Sequence, residues 1–176
     1  MQIRNLAGIV FGAAVLIAGA AQAQQPAAPP NLDAIPDQMP FNIPYGMSIG
    51  AERAEQLVQA AVAEAKKRGW PMNISVVDPG GNLIAFERMD GAQLASIDIA
   101  QHKARTAARF RRETKLFEAA VQNGVNYIVT LDDVIASRGG IPLVEGGKLI
   151  GAIGCSGGTG SQDEVIAKAG AALVNK

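Results

Sequence analysis

Residues 139–175, GGIPLVEGGKLIGAIGCSGGTGSQDEVIAKAGAALVN, decide the fold. Two short apolar runs, 141–144 and 149–155, flank Glu145-Gly146-Gly147-Lys148. Paired glycines supply the positive-φ backbone that a tight hairpin turn needs, so the runs predict two hairpin strands. The second run passes into a glycine-rich loop, 154–160, and then into a helical pattern. Ser161 and Glu164 have the spacing of a capping box, and Asp163 and Glu164 stand where a helix N-terminus favours negative charge. A strand, a bare-backbone loop and a helix N-terminus together offer N–H groups to an anionic or carbonyl oxygen. The loop, with Gly157, Gly158 and Thr159 at its centre, is therefore expected to form one wall of a site.

Upstream, residues 73–78 and 82–88 alternate like strands and are separated by Pro79-Gly80-Gly81, a second hairpin signal. Strands in adjacent pairs predict an antiparallel sheet with helices packed on its faces, an α/β fold of the α+β kind. A dinucleotide-binding fold is disfavoured, because no later strand carries the ribose-binding acid that its glycine fingerprint requires. Ser48 is the expected N-cap of a first helix whose stripe is Leu57, Val58, Ala61, Val62 and Ala65, ended by Gly69 and Pro71. An alanine-rich helix over about 94–112 carries Arg105, Arg109, Arg111 and Arg112 in its C-terminal half, where cations suit the dipole. A short helix over 114–122 stops at Asn123-Gly124. Thr130 to Asp133 predicts a capped helical turn before Ser137.

The chain has 176 residues, with 16 basic and 16 acidic side chains. That balance, without a basic patch, argues against a nucleic-acid partner. One histidine, His102, and one cysteine, Cys155, exclude a metal site of several His and Cys ligands within one chain. Glu52 and Glu55 could hold a surface ion, but acids in a first helical turn are explained by the dipole. Residues 1–23 read as a signal peptide: Arg4, an uncharged apolar run, and the small-x-small site Ala21-Gln22-Ala23. The run is short for a membrane span of roughly 20 apolar residues. Cleavage before Gln24 would leave an exported protein, periplasmic or extracellular, with no stable membrane span. Residues 24–47 hold six of the nine prolines and read as an arm whose Phe41, Ile43 and Tyr45 can dock on the domain or a neighbouring subunit. The domain proper is 48–176.

Four motifs stand in order: Ser75-Val76-Val77-Asp78-Pro79-Gly80-Gly81-Asn82-Leu83; Ala100-Gln101-His102-Lys103-Ala104-Arg105-Thr106-Ala107; Gly139-Gly140-Ile141-Pro142-Leu143; and Gly151-Ala152-Ile153-Gly154-Cys155-Ser156-Gly157-Gly158 leading to Gln162-Asp163-Glu164. Together they resemble the family of small haem-binding proteins that includes the extracellular sensor component HbpS, the GlcG protein of glycolate operons and the C-terminal domain of PduO-type proteins. The resemblance implies a profilin-like antiparallel sheet with helices on its faces. It implies a homo-oligomer, from dimer to octamer, and haem as cofactor, with haem degradation and iron binding attributed to some members.

On that resemblance, His102 is the first candidate for an axial haem-iron ligand, the plain alternative being an ordinary polar helix residue. Lys103 and Arg105, with Thr106 beside them, are candidates for pairing with propionates or a substrate carboxylate. The alternative for Lys103 is a structural ion pair with Asp78, Asp98 or Asp163. Gly157, Gly158 and Thr159 would line the same ligand. Cys155 is a weaker candidate as a thiolate ligand or for an intermolecular disulfide, against the reading of a small buried residue, and Met72 and Met89 are weaker still. Three functions fit these residues. The first is an exported haem-binding protein in haem or iron handling or redox sensing. The second is an enzyme acting on a small hydroxy- or keto-acid at the glycine-rich loop, with Lys103 or Asp163 as acid–base group. The third is a structural oligomeric module.

Overall fold

The computed structural model describes residues 31–175, so the expected signal peptide and the start of the arm lie outside the described residues. Helix α1, Ala51–Arg68, buries the stripe that the spacing predicts and ends on Gly69, whose φ of 68° is left-handed. It begins at Gly50 with no side-chain cap; Ser48, the expected cap, donates its hydroxyl to Ile49 O instead. Strands β1, Asn73–Val77, and β2, Leu83–Arg88, form the first hairpin. Helices α2, Ser96–Arg109, and α3, Lys115–Gln122, follow. A 3-10 turn at Asn126–Thr130 comes next, earlier than the capped turn expected from Thr130, whose hydroxyl donates back to Tyr127 O. Strands β3, Gly140–Glu145, and β4, Lys148–Ser156, then lead into α4, Gly160–Ala171.

The sheet order is β2-β1-β4-β3, antiparallel throughout, as the paired strands require. Its two faces are built differently. Ile74, Val76, Ile141, Leu143, Ile153 and Cys155 point to α1 and α4 and form the main apolar core. Each fully buried Leu, Ile or Val there contributes about 1.5–3 kcal/mol, so this face supplies most of the hydrophobic stabilisation. The opposite face presents Ser75, Val77, Ala152 and glycines to the alanines of α2. A Cβ at Gly154 would lie 2.5 Å from Ala104 N, and one at Gly140 would collide with Lys103 O. Small residues on both sides thus let α2 rest on the strand backbone, and this fixes which side chains of α2 face in and which face out.

The end of the arm is built into the domain. β1 stops at Val77, opposite Ala152, leaving the start of β4 without a neighbour on that side. Residues 44–49 fill the gap: Leu149 N donates to Pro44 O (2.8 Å), Gly46 N to Leu149 O (2.7 Å) and Ile49 N to Ile150 O (2.8 Å). The Tyr45 hydroxyl donates to Arg109 O (2.8 Å), and the Arg112 guanidinium lies 3.9 Å from the centre of the Phe41 ring. The expected docking of Phe41, Ile43 and Tyr45 is therefore made within the chain.

Candidate functional site

Helical periodicity divides the α2 motif between two sides. Ala100, Lys103, Ala104 and Ala107 face the sheet, while His102, Arg105 and Arg109 share the outer face. Lys103 is only 1% exposed, and its Nζ lies 2.7 Å from Asp163 Oδ2. Asp163, 2% exposed in the first turn of α4, accepts from Gly157 N and Gly158 N through Oδ1, both at 3.0 Å. The structural reading of Lys103 as one half of an ion pair is the one realised, with Asp163 as its partner. Asp78 instead holds the β1–β2 turn, accepting from Asn82 N at 2.8 Å. Burial pushes the Asp78 carboxyl up, but hydrogen bonds from Asn82, Gly80 and Gly81 outweigh it and leave the group below the usual range.

The glycine-rich loop is used differently from the sequence expectation. Its two N–H groups meet a negative charge, but that charge is the chain's own Asp163. Thr159 N donates to Gln162 Oε1 (2.8 Å), and Gln162 N donates to Thr159 Oγ1 (3.4 Å). The capping box is thus Thr159–Gln162, not Ser161–Glu164, because α4 begins two residues earlier than that pairing needs. Glu164 points to cations: Lys168, Lys115 (3.5 Å) and Arg138 (3.7 Å). The N–H groups of Gly157, Gly158 and Thr159 are thus engaged by side chains of the same chain. Lys103 and Asp163 are both sealed from solvent and paired with each other. The cleft beside the loop, lined by Trp70, Pro71, Met72, Gly157, Gly158 and Gln162, measures about 210 Å³. That is below the roughly 300–1,000 Å³ of ordinary ligand cavities.

Cys155 is fully buried, and burial pushes its thiol well up, with Asp163 adding to the effect and Lys103 opposing it. A thiolate ligand and an intermolecular disulfide are both closed to it. Met72 is likewise fully buried in the core, and Met89 packs against it. Thr106 is buried with both hydrogen-bonding roles occupied: Oγ1 donates to Asp133 O (2.6 Å) and accepts from Ile135 N (3.1 Å). It anchors the loop before β3.

What remains of the motif is His102 and Arg105, three residues apart and so one helical turn apart. His102 is half-buried, and neither residue makes a side-chain hydrogen bond or ion pair among the described residues. Arg105 runs over the β1–β2 turn so closely that a Cβ at Gly81 would lie 2.7 Å from its Cγ. Gly81 has φ 86°, and the lack of a side chain there is what lets Arg105 lie down. Arg109 continues the row, donating to Gly80 O (2.8 Å) and pairing with Asp133. Among the described residues no group of three or more His, Cys, Asp or Glu is arranged to hold a metal ion, and Glu52 lies exposed in the first turn of α1.

These features define a small α/β/α sandwich with His102 and Arg105 on the outer face of α2. The chain belongs to the family described as haem degrading protein HbpS-like, whose family model matches residues 49–172. It is similar to Protein GlcG of Escherichia coli, 44% identical over 108 residues, covering 61% of this chain and 81% of GlcG. Among solved structures it is similar to a PduOC:heme complex, at 32% identity and a TM-score of 0.67, covering 73% of this chain and 96% of that one. A double mutant of HbpS from Streptomyces reticuli matches at 29% identity and a TM-score of 0.69, covering 86% and 100%. The family resemblance carried by the four motifs, and the mixed α/β fold with an antiparallel sheet, are borne out.

Proposed function

We propose that this protein binds haem on the outer face of α2, with His102 as iron ligand and Arg105 pairing with a propionate, and that it serves haem or iron handling outside the cytoplasm. The observation that carries the reading is the pair itself: an imidazole and a guanidinium one turn apart, both without partners among the described residues, in a chain whose relatives include a haem complex. The donor set fits the group, since imidazole is the common haem-iron ligand and guanidinium forms strong bonds to carboxylates. Bound there, haem would supply iron redox chemistry, the basis of the redox-sensing form of this proposal. His102 would hold the iron, Arg105 would orient the macrocycle, and buried Lys103 would fix the α2 backbone from beneath. His102 and Arg105 lie on an outer helix face, and in this proposal a second subunit covers the other side of the ligand. Export rests on the signal-like residues 1–23. The competing small-acid enzyme loses its main support, because the loop N–H groups it needs already bond to Asp163. The test is a hemin titration of the purified protein beside His102→Ala and Arg105→Ala. A saturable Soret shift, lost in the first variant and weakened in the second, is expected. A wild-type spectrum indistinguishable from free hemin would overturn the proposal.

A further inference from the structure

A second place in the molecule shows a cation without a counter-charge. On the outer side of β3, a cavity of about 270 Å³ lies between the arm, the start of α3 and the strand edge. Its apolar walls are Ile43, Leu116, Ile141 and Pro142, and Arg111, Arg112 and Lys115 also line it. Lys115 is paired with Glu113 at 2.7 Å and with Glu164 at 3.5 Å. Neither arginine has a carboxylate partner among the described residues. Arg111 donates to Ile43 O (3.1 Å) and lies over the Tyr45 ring.

Arg112 is the more unusual of the two. Its guanidinium carbon lies 3.9 Å from the Phe41 ring centre, 4.6 Å from Phe117 and 5.8 Å from Phe110. Rings satisfy the faces of a guanidinium but accept nothing from its in-plane N–H donors. Arg112 Nε is shielded from solvent and has no acceptor. Burial lowers its affinity for the proton, and the Arg111 charge adds to this while Tyr127 opposes it; the Glu113 carboxylate, which also lines the cavity, is paired with Lys115 at 2.7 Å. Arg112 lines the cavity and makes no hydrogen bond or ion pair among the described residues, so the guanidinium donors that face the cavity are open to a carboxylate.

We propose that this cavity binds a small organic carboxylate with an apolar body, the carboxylate paired with Arg112 and Arg111 and the body against Ile43, Leu116, Ile141 and Pro142. The volume sits just below the usual range for ligand cavities, which suits a short-chain acid and is too small for a macrocycle. The arm supplies one wall through Ile43, so the site exists only while the arm is docked. The site is separate from the α2 outer face and does not depend on haem binding.

The probe is hexanoate, titrated by calorimetry into the purified protein, with hexanamide as the uncharged control. Saturable hexanoate binding in the millimolar range or tighter is expected, weakened at least about tenfold in Arg112→Gln, with hexanamide silent. Leu116→Trp, at a half-exposed position, fills the cavity without touching the arginine network and is expected to abolish binding in a folded protein. It keeps the test decisive if Arg112→Gln fails to fold. No saturation by about 10 mM hexanoate, or equal affinity in Leu116→Trp, overturns the proposal.

Discussion

Replacing Asp163 with asparagine keeps the side-chain shape and removes the charge. In the native protein, Oδ2 faces the Lys103 ammonium at 2.7 Å while Oδ1 faces two N–H donors at 3.0 Å. Asparagine has one oxygen and one amide NH2, so donors must meet donors at one end or the other. Either the Lys103 ammonium, 1% exposed, loses its acceptor, or Gly157 and Gly158 lose theirs. Breaking a buried pair from one side costs about 3–5 kcal/mol, because an uncompensated charge is left in the interior. For a domain of this size that corresponds to a Tm lower by about 10–20 °C. Urea denaturation at pH 7 reads the change directly. Lys103→Met should cost less, since the carboxylate keeps its two backbone donors. The double variant Lys103→Met/Asp163→Leu should recover part of the loss but not all, because the loop N–H groups stay unmatched. A loss under about 1 kcal/mol for Asp163→Asn, or single-variant losses that simply add, would refute the view that this pair ties α2, the loop and α4 together.

The remaining predictions address the cap, the ion network and the thiol. Thr159→Ala should destabilise by about 1 kcal/mol while Ser161→Ala stays within about 0.5 kcal/mol, measured by urea denaturation; equal losses would restore the Ser161 cap. Burial pushes the Glu164 carboxyl up, but Lys168 and Lys115 outweigh it and hold the group below the usual range. A depressed folded pKa contributes stability above the unfolded value of about 4.3, and the contribution is lost as pH falls through the folded value. Glu164→Gln should therefore be less stable than wild type at pH 7, with the gap closing below about pH 4; a gap that widens on acidification would contradict the assignment. Cys155, buried and with its thiol pushed up, should resist maleimide at pH 8 and react only at the rate of unfolding; fast labelling of native protein would place the thiol elsewhere.

The fold was legible because it rests on local signals. Asp78-Pro79-Gly80-Gly81-Asn82 and Glu145-Gly146-Gly147-Lys148 specify hairpins by turn chemistry, and the alternation 74/76 against 75/77 already sorts the sheet faces. The glycines at 140 and 154 could be seen but not interpreted, since only the packing of α2 shows why a Cβ is forbidden there. Local signals misled at the start of α4. Ser161 and Glu164 have box spacing, but Thr159 and Gln162 have it too, and the boundary is set by where Asp163 must sit to meet Lys103, 60 residues away. The same long-range contact inverted the reading of the site. Glycine N–H groups at a helix N-terminus predict an anion, and only the tertiary structure shows that the anion is internal. Adjacent positions 102 and 103 looked like partners in one site, yet a helix turns about 100° per residue and sends them to opposite sides. The cavity under the arm had no local signal at all, because Ile43, Arg112 and Ile141 come from three separate segments.

In the proposed complex, haem meets this protein on the outer face of α2 and not at the glycine-rich loop. A crystal structure of the protein with hemin tests it most directly. Iron is expected on the His102 imidazole, a propionate at Arg105, and the Lys103–Asp163 pair unchanged beneath. Hemin at the Gly157–Gly158 cleft with Asp163 displaced, or iron held by any residue other than His102, would contradict it.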